Sequence, residues 1–161
     1  MPATDHFLAR ATKGLSEGLY KIYVGEGALH GAKVAGVVYD EPSARIVTMH
    51  FGLLGFLIGK WLGKRAVTKR EAKERSYDGL EPGSQSFLAI DKANFSLGVA
   101  QITKARVYVP QGFMAKLGDK TIVCELSLLD GSKRIFGLVG ETGPERVRGL
   151  LAKVVANVES S

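Results

Sequence analysis

The most constraining stretch lies near the end of the chain, where two apolar runs, Thr121 to Leu129 and Ser132 to Val139, are separated only by Asp130-Gly131. An Asp-Gly pair between such runs is the signature of a two-residue β-hairpin closed by a type I′ turn. In that register Leu126 faces Ile135, Cys124 faces Gly137 and Ile122 faces Val139, which makes one face wholly apolar. The opposite face then carries Val123, Glu125, Phe136 and Leu138, more apolar than a solvated face should be. Directly afterwards, Thr142-Gly-Pro-Glu145 supplies a threonine cap, a first-turn proline and a glutamate three residues on. Val147, Leu150, Leu151, Val154, Val155 and Val158 then recur at helical spacing, predicting an amphipathic helix over 143–159. A hairpin and a helix with one apolar face each must bury those faces against further sheet, so the fold class is α+β.

Upstream the signals are mostly those of strands. Leu19 to Val24 and Ala28 to Tyr39 are extended runs joined at Gly25-Glu-Gly27, with Gly31 and Gly36 marking a bulge or a close backbone approach. A turn at Asp40-Glu-Pro-Ser43 leads into a third strand from Arg45 to His50, giving an antiparallel meander. Strands are again expected over Ser86–Ile90, after a loop at Glu81–Ser84, and across Phe95–Val109. The first residues, 1–17, read as a short helical segment capped by Thr4 or Asp5, with Phe7, Leu8 and Leu15 packing inward. No basic stretch followed by an apolar one opens the chain, so no secretory signal is expected. One domain suffices for 161 residues with 45% apolar and 24% charged content, which is too apolar for a disordered chain.

Between the meander and the later strands, 51–78 reads as one long inserted helix, ending where Gly79 takes a left-handed conformation. Its first half places Gly52, Gly55, Gly59 and Gly63 on one narrow stripe among leucines and aromatics. Each glycine costs a helix about 0.8–1.0 kcal/mol relative to alanine, so four need a compensating close approach to another surface. Burial in the protein or in a homo-oligomer is the plainest form of it, and lying on a membrane surface is another. Spanning is disfavoured: thirteen residues cover about 20 Å against a hydrocarbon core of about 30 Å.

The second half of that helix holds almost all of the chain's net charge. Seven basic residues against two acidic ones lie between Lys60 and Arg75, a local +5 out of +6 overall. A solvated helix end with i,i+4 pairs such as Glu71–Arg75 would account for it. The sharper reading is a polybasic patch beside an apolar, tryptophan-bearing segment, the combination that holds proteins to anionic lipid. The membrane- or partner-binding candidates are therefore Phe56, Lys60, Trp61, Lys64, Arg65, Lys69 and Arg70. Nucleic acid is disfavoured, because aromatic residues are not interleaved with the later basic ones.

Catalytic signatures are not evident. His6, His30 and His50 lack metal-ligand spacing, and the Gly25-to-Gly31 glycines precede a strand where a phosphate loop would precede a helix. Cys124, the single cysteine, reads as a small core residue and suits a reducing, cytoplasmic setting. No enzyme activity, cofactor or metal is expected.

The phrase Asp91-Lys-Ala-Asn-Phe95, the segment Val99–Val107 after it, the closing hairpin and the terminal helix together resemble the bacterial pleckstrin-homology-like (PH-like) and GRAM-like families; Leu19–Gly36 is similar to their opening strands. That resemblance covers about Leu19–Val158. It implies an antiparallel β-sandwich or barrel of about seven strands closed by the C-terminal helix, and binding in place of catalysis. It carries over no phosphoinositide site, since Lys21 and Lys33 do not form the basic cluster such a site needs. The expected function is thus a non-enzymatic binding or scaffold module, peripheral to an anionic membrane or attached to a protein partner. The alternatives are a structural homo-oligomer built on the glycine stripe, and a small-ligand-binding or enzymatic domain with an unannounced pocket.

Overall fold

The computed structural model describes residues 5–36, 64–65, 67–110, 122–140 and 143–160. They form one eight-stranded sheet, from β1 (His6–Lys13), β2 (Gly18–Gly25), β3 (Ala28–Ala35), β4 (Phe95–Gly98), β5 (Ile102–Tyr108), β6 (Val123–Leu128) and β7 (Lys133–Leu138) to β8 (Val158–Ser160). The order across the sheet is β4-β3-β2-β1-β7-β6-β5-β8. Every pairing is antiparallel except β5 with β8. Among the described residues the α-helices are α1 (residues 64–65 and 67–75), α2 (Gln85–Ala89) and α3 (Pro144–Ala152). The α+β class expected from the sequence holds.

The sheet is strongly curled. Four strand steps separate β4 from β7, which is about 19 Å across a flat sheet, yet the rings of Phe95 on β4 and Phe136 on β7 have centroids 6.4 Å apart. Only a sheet bent round on itself brings them face to face. Its concave face forms the main core, with Phe7, Ala9 and Ala11 from β1, Tyr20 and Ile22 from β2, and Cys124 and Leu126 from β6. Val147, Leu150, Leu151 and Val155, in and just after α3, plug it. The curl relies on Gly31, as its place in a strand suggested. Gly31 pairs with Phe95, and a Cβ at residue 31 would stand 2.1 Å from that ring. Phe95 lies in the space where a side chain would be.

Several sequence expectations need correction. Residues 6–13 are a strand, not part of a helix; the alternation of buried Phe7, Ala9 and Ala11 with half-buried neighbours has a period of two. Two alanines with the helix formers Leu8, Arg10 and Lys13 look helical locally, but pairing to both β2 and β7 overrides that. Gln85–Ala89 is a helical turn where a strand was expected, because the Ser84 hydroxyl accepts the Phe87 N–H at 3.2 Å and caps it. The C-terminal helix ends at Ala152, not at 159, and its N-cap is Gly143, without a side-chain hydrogen bond. β-branched Val154 and Val155 favour helix weakly, and the open edge of β5 captures the chain as β8: the Ala105 N–H donates to the Asn157 carbonyl at 3.0 Å.

The closing hairpin is present, but one residue out of the expected register. Cys124 faces Phe136, Leu126 faces Arg134 and Glu125 faces Ile135. A type I′ turn would need positive φ at Asp130 as well as at Gly131; Gly131 has φ +81°, and no non-glycine residue among those described has positive φ. The chain takes a three-residue loop, in which the Leu128 N–H donates to the Ser132 carbonyl at 2.9 Å and the Gly131 N–H to the Leu128 carbonyl at 3.0 Å. The Asp130 carboxylate accepts from both the N–H and the hydroxyl of Ser132, which holds this geometry. Moving one residue turns Phe136 inward beside Cys124. On the other face Glu125 is buried and meets Lys133 at 2.8 Å.

The third strand expected at 45–50, the glycine stripe and the rest of 51–63 lie outside the described residues. Gly79 has φ +77°, as expected at the end of the helical region.

Replacing Gly31 by valine is expected to destabilise the protein by about 1–3 kcal/mol or more, as for other overpacked sites. Urea unfolding would measure it. A variant as stable as wild type would mean that the Phe95 ring does not occupy this position.

Candidate functional site

The convex face of β1–β3 is covered too. Leu19, Ala32, Val34, Tyr77 and Phe87 form a second buried cluster there, with Tyr77 in the turn after α1 and Phe87 in α2. The Tyr77 and Phe87 rings lie 5.2 Å apart, and Phe87 meets Tyr23 edge-on at 5.8 Å. Asn94 ties this layer to the strand. Its Oδ1 accepts the Lys33 N–H at 2.8 Å and the Tyr77 hydroxyl at 3.1 Å, while its Nδ2 donates to the Phe87 carbonyl at 2.8 Å. The Tyr77 hydroxyl also lies 3.1 Å from the Lys33 carbonyl. β4 pairs with β3 only as far as Gly31, so the Asn94 side chain continues the hydrogen bonding where the ladder stops.

This arrangement positions the basic helix. Between α1 and the end of β3 runs a cleft of about 220 Å³, lined by Lys69, Arg70 and Lys73 on the helix, residues 33–36 at the end of the strand and just beyond it, and Asp91. Arg70 Nε is 2.8 Å from Glu74, an i,i+4 pair, and Lys73 Nζ is 2.8 Å from Asp91. The Lys33 ammonium donates to the Ser16 hydroxyl at 2.7 Å, so its main chain forms the cleft wall. Asp91 is fixed from two sides, Oδ1 accepting the Ala93 N–H at 3.0 Å and Oδ2 the Lys73 ammonium. Partial burial works against its charged form, but the Lys73 hydrogen bond, the Ala93 N–H and the positive charges of Lys73 and Lys33 outweigh it and hold the carboxyl below its usual range.

Of the residues singled out by sequence, Lys64, Arg65 and Lys69 are exposed on α1 and Arg70 is half-buried in the cleft wall. Phe56, Lys60 and Trp61, with Gly52, Gly55, Gly59 and Gly63, lie outside the described residues. Sequence reasoning did not assign Asp91, Asn94, Tyr77 or Lys33 to this surface. The phrase Asp91-Lys-Ala-Asn-Phe95 held a clue: Asp91 closes the cleft, Asn94 ties its floor and Phe95 enters the core.

Other chemistry is sparse. Cys124 is in the core, and burial pushes its thiol up to about 12. Among the described residues no group of three or more His, Cys, Asp or Glu side chains could hold a metal ion. A second cleft of about 230 Å³ between β1 and the start of β2 is lined by Arg10, Thr12 and Glu17. It lacks the charge asymmetry of the first. No helix among the described residues is long and apolar enough to cross a membrane. Compared with protein-family models, curated proteins and solved structures, the chain matches none.

Asn94→Ala takes the partner from the Lys33 N–H and the Phe87 carbonyl, while the Tyr77 hydroxyl keeps the Lys33 carbonyl, and is expected to cost about 2 kcal/mol, measured by denaturant unfolding; a neutral effect would show that the tie is not structural. The depressed Asp91 carboxyl has a pH signature. Its contribution is fully present above the unfolded carboxyl pKa of about 3.9 and is lost as pH falls through the lower folded value. Asp91→Asn should therefore lower stability by a constant amount between about pH 5 and pH 8 and by a vanishing amount in strong acid. Equal deficits at both ends of a pH series of melts would contradict the assignment.

Proposed function

We propose that this chain is a non-enzymatic, PH-like binding module that docks peripherally on an anionic membrane through the cationic face of α1. The curled sheet, seven of whose eight strands pair antiparallel, and the helix plugging its core support the PH-like part of the reading. The observation that carries the membrane part is the rigid presentation of positive charge. Lys64, Arg65 and Lys69 project into solvent from a helix whose C-terminal turn is held to the sheet by Tyr77 and Asn94. Val67 lies among them and is 56% exposed, an apolar side chain in the midst of cations. Basic residues next to exposed apolar ones suit the boundary between headgroups and acyl chains, where each cation contributes about 1 kcal/mol. Preordering the helix means that docking need not supply the entropy of folding it.

Co-sedimentation with phosphatidylcholine vesicles, with and without phosphatidylglycerol, tests the reading. Binding should require the anionic lipid and weaken with salt. Joint replacement of Lys64, Arg65 and Lys69 by glutamate should lower it at least about a hundredfold. Negligible binding by wild type, or equal binding by wild type and triple variant, would remove the membrane proposal.

A further inference from the structure

We propose that the cleft between α1 and the end of β3 seats a single phosphomonoester group, with Asp91 as a built-in anion that the ligand displaces from Lys73. The inference rests on the reading of α1 as the anion-facing element and narrows it to one chemical group.

Charge points to that group. On the helix side of the cleft Lys69, Arg70 and Lys73 stand against Glu74, the partner of Arg70, and Asp91, the partner of Lys73. Once Asp91 gives up Lys73, the charges of Lys69 and Lys73 both face the ligand, two positive charges in all. A phosphomonoester carries about −1.5 to −2 at neutral pH and offers three acceptor oxygens, whereas a phosphodiester or a carboxylate brings one charge. Size agrees: about 220 Å³ is below the range of roughly 300–1,000 Å³ typical of drug-sized ligands, and suits a small anionic headgroup. Arg70 supplies a planar fork matched to paired phosphate oxygens, and Lys69 and Lys73 supply mobile ammonium donors one helical turn apart.

Asp91 makes the site conditional. One of its oxygens already occupies Lys73, while the other stays on the Ala93 N–H. A ligand that takes Lys73 breaks only one partly exposed ion pair, of the kind that contributes little. The turn itself, held through Asn94 and Ala93, does not have to move. A dianion can make that exchange at a profit where a monoanion merely replaces one carboxylate by another.

The full chain would be titrated with inorganic phosphate and glycerol 3-phosphate by calorimetry. It would also be tested on vesicles containing either phosphatidic acid, a monoester, or phosphatidylglycerol, a diester, at matched surface potential. Preference for phosphatidic acid of about tenfold is expected, with glycerol 3-phosphate competing. Arg70→Ala should abolish that preference and keep the residual binding to phosphatidylglycerol. Asp91→Asn, which retains an acceptor for the Ala93 N–H, should tighten glycerol 3-phosphate several-fold, with thermal melts checking that each variant is folded. Equal binding to the two lipids, with Arg70→Ala weakening both alike, overturns the phosphomonoester site and leaves the membrane reading standing. Tight glycerol 3-phosphate binding that Asp91→Asn improves, without vesicle binding, supports the site with a free phosphate as its source and overturns the membrane reading. Unchanged or weaker binding by folded Asp91→Asn rules out the displacement, and absence of binding in every arm removes both proposals.

Discussion

The Phe95 ring laid on the backbone at Gly31 is the contact on which the rest of the structure depends. A strand with side chains at every position would hold β4 away from the concave surface, and the sheet could not close round a common core. With no side chain at 31, Phe95 reaches Phe136 from the far side of the sheet and Tyr20 at 6.0 Å. The Arg134 guanidinium stacks over the same ring at 4.8 Å. Strands four steps apart in the sheet thereby share one interior, which α3 then seals. The hydrophobic driving force is generic; the missing Cβ is what lets it act on this shape.

A second layer depends on the first. Because β4 pairs with β3 only as far as Gly31, the Asn94 side chain takes up the Lys33 N–H from the turn just before β4. The same turn carries Asp91. Curl, strand edge and cationic cleft are thus consequences of five consecutive residues, from Asp91 to Phe95. The turn that carries Asp91 is fastened directly to the sheet, so one wall of the cleft is as firmly placed as the core it borders.

Much of this was legible in the sequence where the signals were local and redundant. The hairpin, the amphipathic helix after it, the buried cysteine and the concentration of charge between Lys60 and Arg75 each rest on several residues that agree. What was missed turned on competition between local and distant partners. Phe7, Ala9 and Ala11 could serve either a helix or a strand, and the neighbouring strands β2 and β7 decided the matter. Ser86 to Ile90 has strand-like residues, but a single serine hydroxyl before them starts a helical turn. The hairpin register depended on whether an aspartate would accept positive φ, and its hydrogen bonds to Ser132 favoured the alternative. The cleft was illegible for a different reason: Lys33, Lys73 and Asp91 are far apart in the chain and meet only once the sheet has curled.

The parallel strand β8 has an implication of its own. β5 would otherwise be a terminal strand with a row of unsatisfied backbone groups, the kind of edge that recruits a neighbouring molecule. Three residues are enough to occupy it, and Glu159 brings a carboxylate within 2.7 Å of Lys104 and 3.8 Å of Arg106. The seal is short and charged, a poor template for further strands. Peeling away residues 158–160 would leave the cleft beside α1 untouched but bare a sticky margin on the opposite flank, turning a capped sheet edge into a nucleus for lateral self-association.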